Sequence, residues 1–198
     1  MYYDGNVEEN HERFLKNLDN SKPSVRLVSK LLKDRGYNVR IGKTTKAKTH
    51  KTWRKHADNG DLFVDDYRIE IKGLSAKFTN KHDWPFRDKF IVCAKHAWDS
   101  ATPKPYAFVC LSRDKKYIAI VFGNTSSHWY VEERKDSRYD DYYQDFYFCP
   151  KGKVIFGKIV NIDKELFEHD TSNSITEQES GEHVSPESNR LASYFDWN

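Results

Sequence analysis

The sequence has no long apolar runs and no closely spaced cysteine pair. Its mean hydropathy is −0.88, and no stretch approaches the ~20 consecutive apolar residues that a membrane span requires. Residues 1–5 contain no apolar stretch behind a basic start, so we expect no secretory signal. The three cysteines, Cys93, Cys110 and Cys149, are far apart, which argues against a disulfide framework or a zinc cage. We therefore expect no membrane partner and a reducing, cytoplasmic compartment.

Charge is distributed unevenly along the 198 residues. The formal net charge is +3, but residues 163–198 contain nine acidic and two basic residues and so have a net charge of −7. Residues 1–162 consequently have a net charge of +10. A basic body favours a polyanionic partner, although a solvated surface of mixed charge remains an alternative. We expect one folded domain over residues 1–162 and a flexible acidic tail over residues 163–198.

The spacing of apolar residues predicts an α/β domain with a central mixed β-sheet flanked by helices. One helix is expected over residues 7–18, and a second starts at Ser21 or Ser24 and ends before Gly36. Strands are expected at 37–41, 61–64, 67–72, 90–94, 106–111 and 117–122. The run 90–94 is apolar throughout, which is typical of a strand covered on both faces. The aromatic residues within 124–160 are expected to close the core rather than to stack on bases.

A two-residue turn at Asp65-Asp66 would place chemically distinct side chains on the two faces of one hairpin. It pairs residue 64 with 67, 63 with 68 and 62 with 69, so that Asp61 lies opposite Glu70 at about 5 Å between Cβ atoms. The period of two places Lys72 on the same face as Glu70. The opposite face is expected to be a core face, and it consists of Leu62, Val64, Tyr67, Ile69 and Ile71.

Two carboxylates facing each other across a hairpin repel, by up to about 1 kcal/mol, and a divalent cation between them would remove this penalty. Mg²⁺ prefers carboxylate oxygens and retains several waters, which leaves room for a phosphate group. A nearby lysine could orient an attacking water and stabilise developing negative charge. The arrangement is typical of phosphodiester hydrolysis, and an ordinary cross-strand ion pair is the alternative.

The segment Gly60-Asp61-Leu62 followed by Glu70-Ile71-Lys72 resembles the PD-(D/E)XK nuclease superfamily. The resemblance covers roughly residues 21–122, and Asp83-Trp84-Pro85-Phe86 is similar to a feature of phage-encoded members. It implies a restriction-endonuclease-like fold with Asp61, Glu70 and Lys72 as catalytic residues. It also implies that Asp61, Glu70 and the Ile71 carbonyl bind Mg²⁺, for which Mn²⁺ could substitute. A phage-encoded member would act in the host cytoplasm.

The sequence departs from the family pattern in two places. Position 60 is glycine where the name-giving motif has proline. Many members have a glutamate on the helix that precedes the first strand, and residues 24–35 contain none. Glu8, Glu9 or Glu12 could supply that third carboxylate, or two carboxylates could suffice.

Basic residues precede and follow the predicted hairpin, and they are candidates for binding nucleic acid. The first group could neutralise phosphates and stack a base, and it contains Lys43, Lys46, Lys48, Lys51, Trp53, Arg54 and Lys55. The second group could form another wall of the same groove, and it contains Lys77, Lys81, His82 and Arg87. A solvated charged loop is the alternative for both groups.

These features together predict a Mg²⁺-dependent nuclease acting on duplex or branched DNA. A catalytically inactive nucleic-acid-binding module is one alternative, and a protein-interaction factor is another. The sequence leaves open whether the protein is a monomer or a homodimer, and whether the acidic tail occupies the basic groove.

Overall fold

The computed structural model describes residues 7–43, 60–136 and 143–168. The helices in these ranges are α1 (Val7–Lys33), α2 (Lys95–Ser100) and α3 (Ile162–Phe167). The strands are β1 (Val39–Ile41), β2 (Leu62–Val64), β3 (Tyr67–Gly73), β4 (Lys89–Ala94), β5 (Ala107–Leu111), β6 (Tyr117–Phe122), β7 (Tyr130–Lys135), β8 (Tyr143–Pro150) and β9 (Ile155–Lys158). None of the described helices is long and apolar enough to cross a membrane.

Two sheets organise the described part of the chain. The larger sheet has six strands in the order β1-β2-β3-β5-β6-β9, and the smaller has three in the order β4-β8-β7. In the larger sheet β3 and β5 are parallel, whereas the other neighbours are antiparallel. The predicted α/β class with a mixed sheet is therefore confirmed, and the second sheet was not foreseen.

The larger sheet is covered on both faces, but by different elements. On one face α1 and α3 pack with buried residues such as Val28, Leu32 and Leu166. On the other face, buried aromatic residues and the smaller sheet form a second cluster, which includes Phe90, Val92 and Trp129. Helices and the smaller sheet thus enclose the larger sheet as a middle layer.

The strand β4 belongs to the smaller sheet and alternates between half-buried and buried residues. The expectation of a strand covered on both faces at 90–94 was therefore wrong. Its partner β8 lies more than 50 residues later in the chain, so a local apolar run could not reveal this pairing.

A single helix, α1, replaces the two helices predicted before Gly36. Pro23 lies inside α1, where it lacks the N–H that would otherwise bond four residues back. The helix continues because Val25, Val28 and Leu32 share one buried face, and this burial offsets the lost hydrogen bond.

Most of the aromatic segment closes the core, as predicted. Trp129, Phe146 and Phe148 are buried, whereas Tyr130 and Tyr143 are exposed.

The packed body extends past residue 162 into α3. Ile162 and Leu166 are fully buried in the first cluster, and the Asp163 Oδ1 atom lies 2.9 Å from Arg35 Nε. The remainder of the predicted acidic tail, residues 169–198, lies outside the described residues.

Candidate active site

The β2–β3 hairpin has the register that the sequence predicted. Val64 pairs with Tyr67, Phe63 with Arg68 and Leu62 with Ile69. Asp65 occupies the tight turn with φ at +50°, a conformation that aspartate tolerates better than most residues.

The two faces of the hairpin separate as expected, with one exception. Leu62, Val64, Ile69 and Ile71 are buried in the first cluster. Tyr67 was expected on this core face but is 49% exposed, because it lies at the end of the hairpin. Its ring packs instead on Tyr106, with 4.5 Å between the ring centroids.

Asp61 lies one residue before β2, and its carboxylate reaches across to β3. The Ile71 N–H donates to Asp61 Oδ2 at 2.8 Å, whereas the paired residues of the ladder end at Leu62 and Ile69. On the β2 side of β3, the carboxylate therefore takes the place of a strand partner for Ile71, whose partner on the other side is Val109 of β5. The N–H and carbonyl of one strand residue point to the same side, so the Ile71 carbonyl also faces Asp61.

Glu70 is held by a neighbour that the sequence analysis did not select. Arg68 Nε donates to Glu70 Oε1 at 2.7 Å, and Arg68 Nη2 also lies 2.7 Å from that oxygen. The two side chains are only 11% and 15% exposed, so this ion pair is largely shielded from water. Arg68 could have been identified from the sequence, because the period of two along β3 places positions 68, 70 and 72 on one face.

Lys72 extends from β3 toward the smaller sheet. Its ammonium donates to the Val92 carbonyl of β4 and lies 5.6 Å from the centre of the Phe108 ring. Burial raises the pKa of the nearby Cys93 and Cys110 thiols to about 11 and about 12, and the Lys72 charge opposes both increases. Lys72 therefore lies at the junction of the two sheets.

The backbone at Gly42 contacts the backbone at Gly60, next to Asp61. The Gly42 N–H donates to the Asp61 carbonyl at 3.0 Å, and a Cβ on Gly42 would lie 1.8 Å from the Gly60 carbonyl oxygen. Gly60 has φ at +103°, and a Cβ there would lie 2.8 Å from Arg68 Nε. The chain that leaves β1 and the chain that enters β2 are thus in contact beside the candidate site.

The first basic group lies in the sequence between Gly42 and Gly60. Lys43 follows Gly42 and is exposed. The other members lie outside the described residues, and they are Lys46, Lys48, Lys51, Trp53, Arg54 and Lys55.

The second basic group lies on the exposed connection between β3 and β4. Lys77, Lys81, His82 and Arg87 are all exposed. The described contacts do not bring these side chains onto Asp61 or Glu70.

Asp83 organises the connection that contains Lys81. Its carboxylate accepts the backbone N–H groups of Thr79 and Asn80 at 2.8–2.9 Å, and these bonds lower the pKa of Asp83. We expect Asp83→Ala to reduce the free energy of unfolding by about 1 kcal/mol at pH 7.

The pKa of Asp83 is lower in the folded protein than in the unfolded chain, where it is about 3.9. Asp83 therefore stabilises the fold at pH values above about 3.9, and this stabilisation is lost as the pH falls through the pKa of the folded state. Urea unfolding at pH 7 and pH 3 should therefore give a smaller difference between wild type and Asp83→Ala at pH 3. An equal difference at both pH values would contradict this role.

The proposed third carboxylate has no support from the described side chains. Glu12 is exposed on α1, and the side chains of Glu8 and Glu9 lie outside what the structure describes. Among residues 7–43, 60–136 and 143–168, no three histidine, cysteine or acidic side chains form a group that could hold a metal ion.

The donors at the site consist of oxygen alone: two carboxylates and the Ile71 carbonyl. This donor set fits Mg²⁺ or Mn²⁺, which retain waters in the remaining positions, better than it fits zinc. A cation would have to compete with Arg68 for Glu70.

Compared with models of known families, with curated proteins and with solved structures, the chain matches none of them.

Proposed function

We propose that this protein is a metal-dependent nuclease that hydrolyses DNA phosphodiester bonds at Asp61, Glu70 and Lys72. The observation that carries the proposal is the 2.8 Å bond from Ile71 N to Asp61 Oδ2. It holds the Asp61 carboxylate at the backbone of Ile71, the residue between Glu70 and Lys72 in the sequence. The three residues of the D-x₈-E-x-K pattern thus lie at one end of the β2–β3 hairpin.

The order of elements supports a restriction-endonuclease-like fold. A helix precedes three antiparallel strands, β1 to β3, and the chain then crosses over to β5, which is parallel to β3. This is the arrangement that the resemblance to PD-(D/E)XK nucleases implies.

Asp61, Glu70 and the Ile71 carbonyl would hold the cation. A bound Mg²⁺ would neutralise charge on the scissile phosphate and lower the pKa of a bound water. Asp61 is already positioned by the Ile71 N–H, and Glu70 by Arg68. Positioned carboxylates lose little conformational freedom when they bind a ligand.

Lys72 would orient the attacking water and stabilise negative charge on the phosphate. Its ammonium is held on the β4 side of the hairpin through the Val92 carbonyl. An ammonium with several donor hydrogens can keep this bond while it donates to a water or a phosphate oxygen.

An inactive nucleic-acid-binding module is the second candidate, and one observation favours it. Arg68 already neutralises Glu70, and Lys72 already has an acceptor in Val92. Arg68, Glu70 and Lys72 therefore each have a partner within the protein, as they would in a purely structural cluster.

Cleavage of supercoiled plasmid and of labelled linear, flapped and four-way-junction DNA tests the proposal. Each substrate is incubated with the full chain in Mg²⁺, in Mn²⁺ and in EDTA. We expect cutting with either metal and none in EDTA, since the carboxylates need a cation to contact a phosphate. DNA binding without cleavage in any metal would instead support the inactive module.

A further inference from the structure

A groove of about 420 Å³ lies between α1 and the ends of β3 and β5. From α1 it is lined by Asp19, Asn20, Pro23 and Ser24, and from the sheet by Gly73, Leu74, Ser75, Ser112, Arg113 and Lys115. It opens at the carboxyl ends of two parallel strands, where α/β proteins commonly bind ligands. Its volume is within the usual range for a binding site.

Backbone hydrogen bonds hold the two connections that form the sheet side of this groove. The Leu74 N–H donates to the Leu111 carbonyl at 2.9 Å, and the Arg113 N–H donates to the Ala76 carbonyl at 2.9 Å. Lys77, which follows Ala76, is thereby brought next to Arg113. The basic residues of two separate connections thus form one surface.

This surface has more positive than negative charge. Hydrogen bonds from Ser112 and the Lys116 N–H lower the pKa of Asp114, and the charges of Lys116 and Lys77 lower it further. Asp19 is paired with Lys22 at 2.7 Å. Within the described ranges, no ion pair involves Lys77, Arg113, Lys115 or Lys116. Four cations around one aspartate favour an anionic ligand.

The groove is close to the candidate active site along the chain. Gly73 lines it and directly follows Lys72, so that the groove begins three positions after Glu70 along β3. At about 3.3 Å per strand residue this distance is about 10 Å. Nucleotides follow one another at about 3.4 Å along the axis of a duplex, so a distance of about 10 Å is that of a few nucleotides.

We propose that this groove and the four cations of the two connections beside it bind the phosphate backbone of the DNA, a few nucleotides from the bond that is cut. We refer to Lys77, Arg113, Lys115 and Lys116 as the basic surface. The inference rests on the proposed function, because it assumes that DNA is the ligand. It adds three contacts, Arg113, Lys115 and Lys116, that the sequence analysis did not select.

The test compares two triple variants of the full chain with equal loss of charge. Lys77→Gln, Arg113→Gln and Lys115→Gln together neutralise three of the four cations of the basic surface. Lys33→Gln, Lys153→Gln and Lys164→Gln together neutralise three exposed lysines elsewhere. Fluorescence anisotropy of a labelled 25-base-pair duplex in EDTA reports Kd between 50 and 200 mM salt, and circular dichroism confirms that both variants fold.

We expect the first variant to weaken binding about tenfold or more and to reduce the salt dependence of log Kd by about three, one for each phosphate contact. The control should change the salt dependence by less than one. Equal losses in the two variants, or no loss in either, would overturn the inference. Because binding is measured in EDTA, a failure to cleave DNA would contradict the nuclease proposal without affecting this result.

Discussion

Replacing Lys72 by methionine is expected to reduce DNA cleavage about 10³-fold while leaving metal and DNA binding unchanged. Lys72 holds no metal in the proposed site, and methionine is an unbranched side chain of similar shape that lacks the ammonium. The initial rate of plasmid cleavage measures the loss, and Mn²⁺ titration by calorimetry measures the retained metal affinity.

Replacing Asp61 by asparagine should remove both metal binding and cleavage. The amide oxygen of asparagine can still accept the Ile71 N–H, so the local structure is retained while the charge is lost. The matched control is Asp66→Asn, the same change at an exposed position of the hairpin turn.

Near-normal cleavage by Lys72→Met would refute the catalytic assignment. Equal Mn²⁺ affinity in Asp61→Asn and Asp66→Asn would refute the metal site.

Replacing Arg68 by alanine is expected to lower the free energy of unfolding by about 3–5 kcal/mol in EDTA. The variant leaves the Glu70 carboxylate, which is 15% exposed, without its counter-ion. It also removes the contact of the guanidinium with the Pro103 carbonyl at 3.3 Å. Urea unfolding of wild type and variant measures the difference.

Mg²⁺ should restore part of this loss if Glu70 is a metal ligand. A ligand that binds only the folded state stabilises it, and Arg68 no longer competes for Glu70 in the variant. The melting temperature of Arg68→Ala should therefore rise more in 10 mM Mg²⁺ than that of wild type. The double variant Arg68→Ala/Glu70→Gln also removes the carboxylate charge, so it should be more stable than Arg68→Ala and insensitive to Mg²⁺. Equal responses of all three proteins to Mg²⁺ would exclude Glu70 as a ligand.

The hairpin register could be predicted from sequence because it depends on neighbouring residues. A two-residue turn and strict alternation fix which residues face each other, and the pairs from Leu62 to Ile69 agree. The way Asp61 reaches Ile71 could not be predicted, because it depends on where β2 starts. The same alternation places Arg68 on the face of Glu70 and Lys72, but position 68 is not part of the D-x₈-E-x-K pattern.

The parts that the sequence did not reveal depend on distant contacts. The smaller sheet joins β4 to β8 across more than 50 residues, and no local pattern encodes that pairing. The helix α3 was not predicted, because it lies at the start of a segment whose average composition is acidic. Its Ile162 and Leu166 have the four-residue spacing of a buried helical face, and this was the available signal.

The contact between Gly42 and Gly60 has a consequence for how this protein could change during evolution. The hydrogen bond from the Gly42 N–H to the Asp61 carbonyl joins the two ends of the segment between these glycines. This bond does not depend on the length of the segment. Doubling the length of a closed loop costs only about 0.6 kcal/mol. Insertions, deletions or wholesale exchange of residues 44–59 should therefore leave the β2–β3 hairpin in place, so that this stretch of sequence could diverge among descendants while the hairpin was inherited intact.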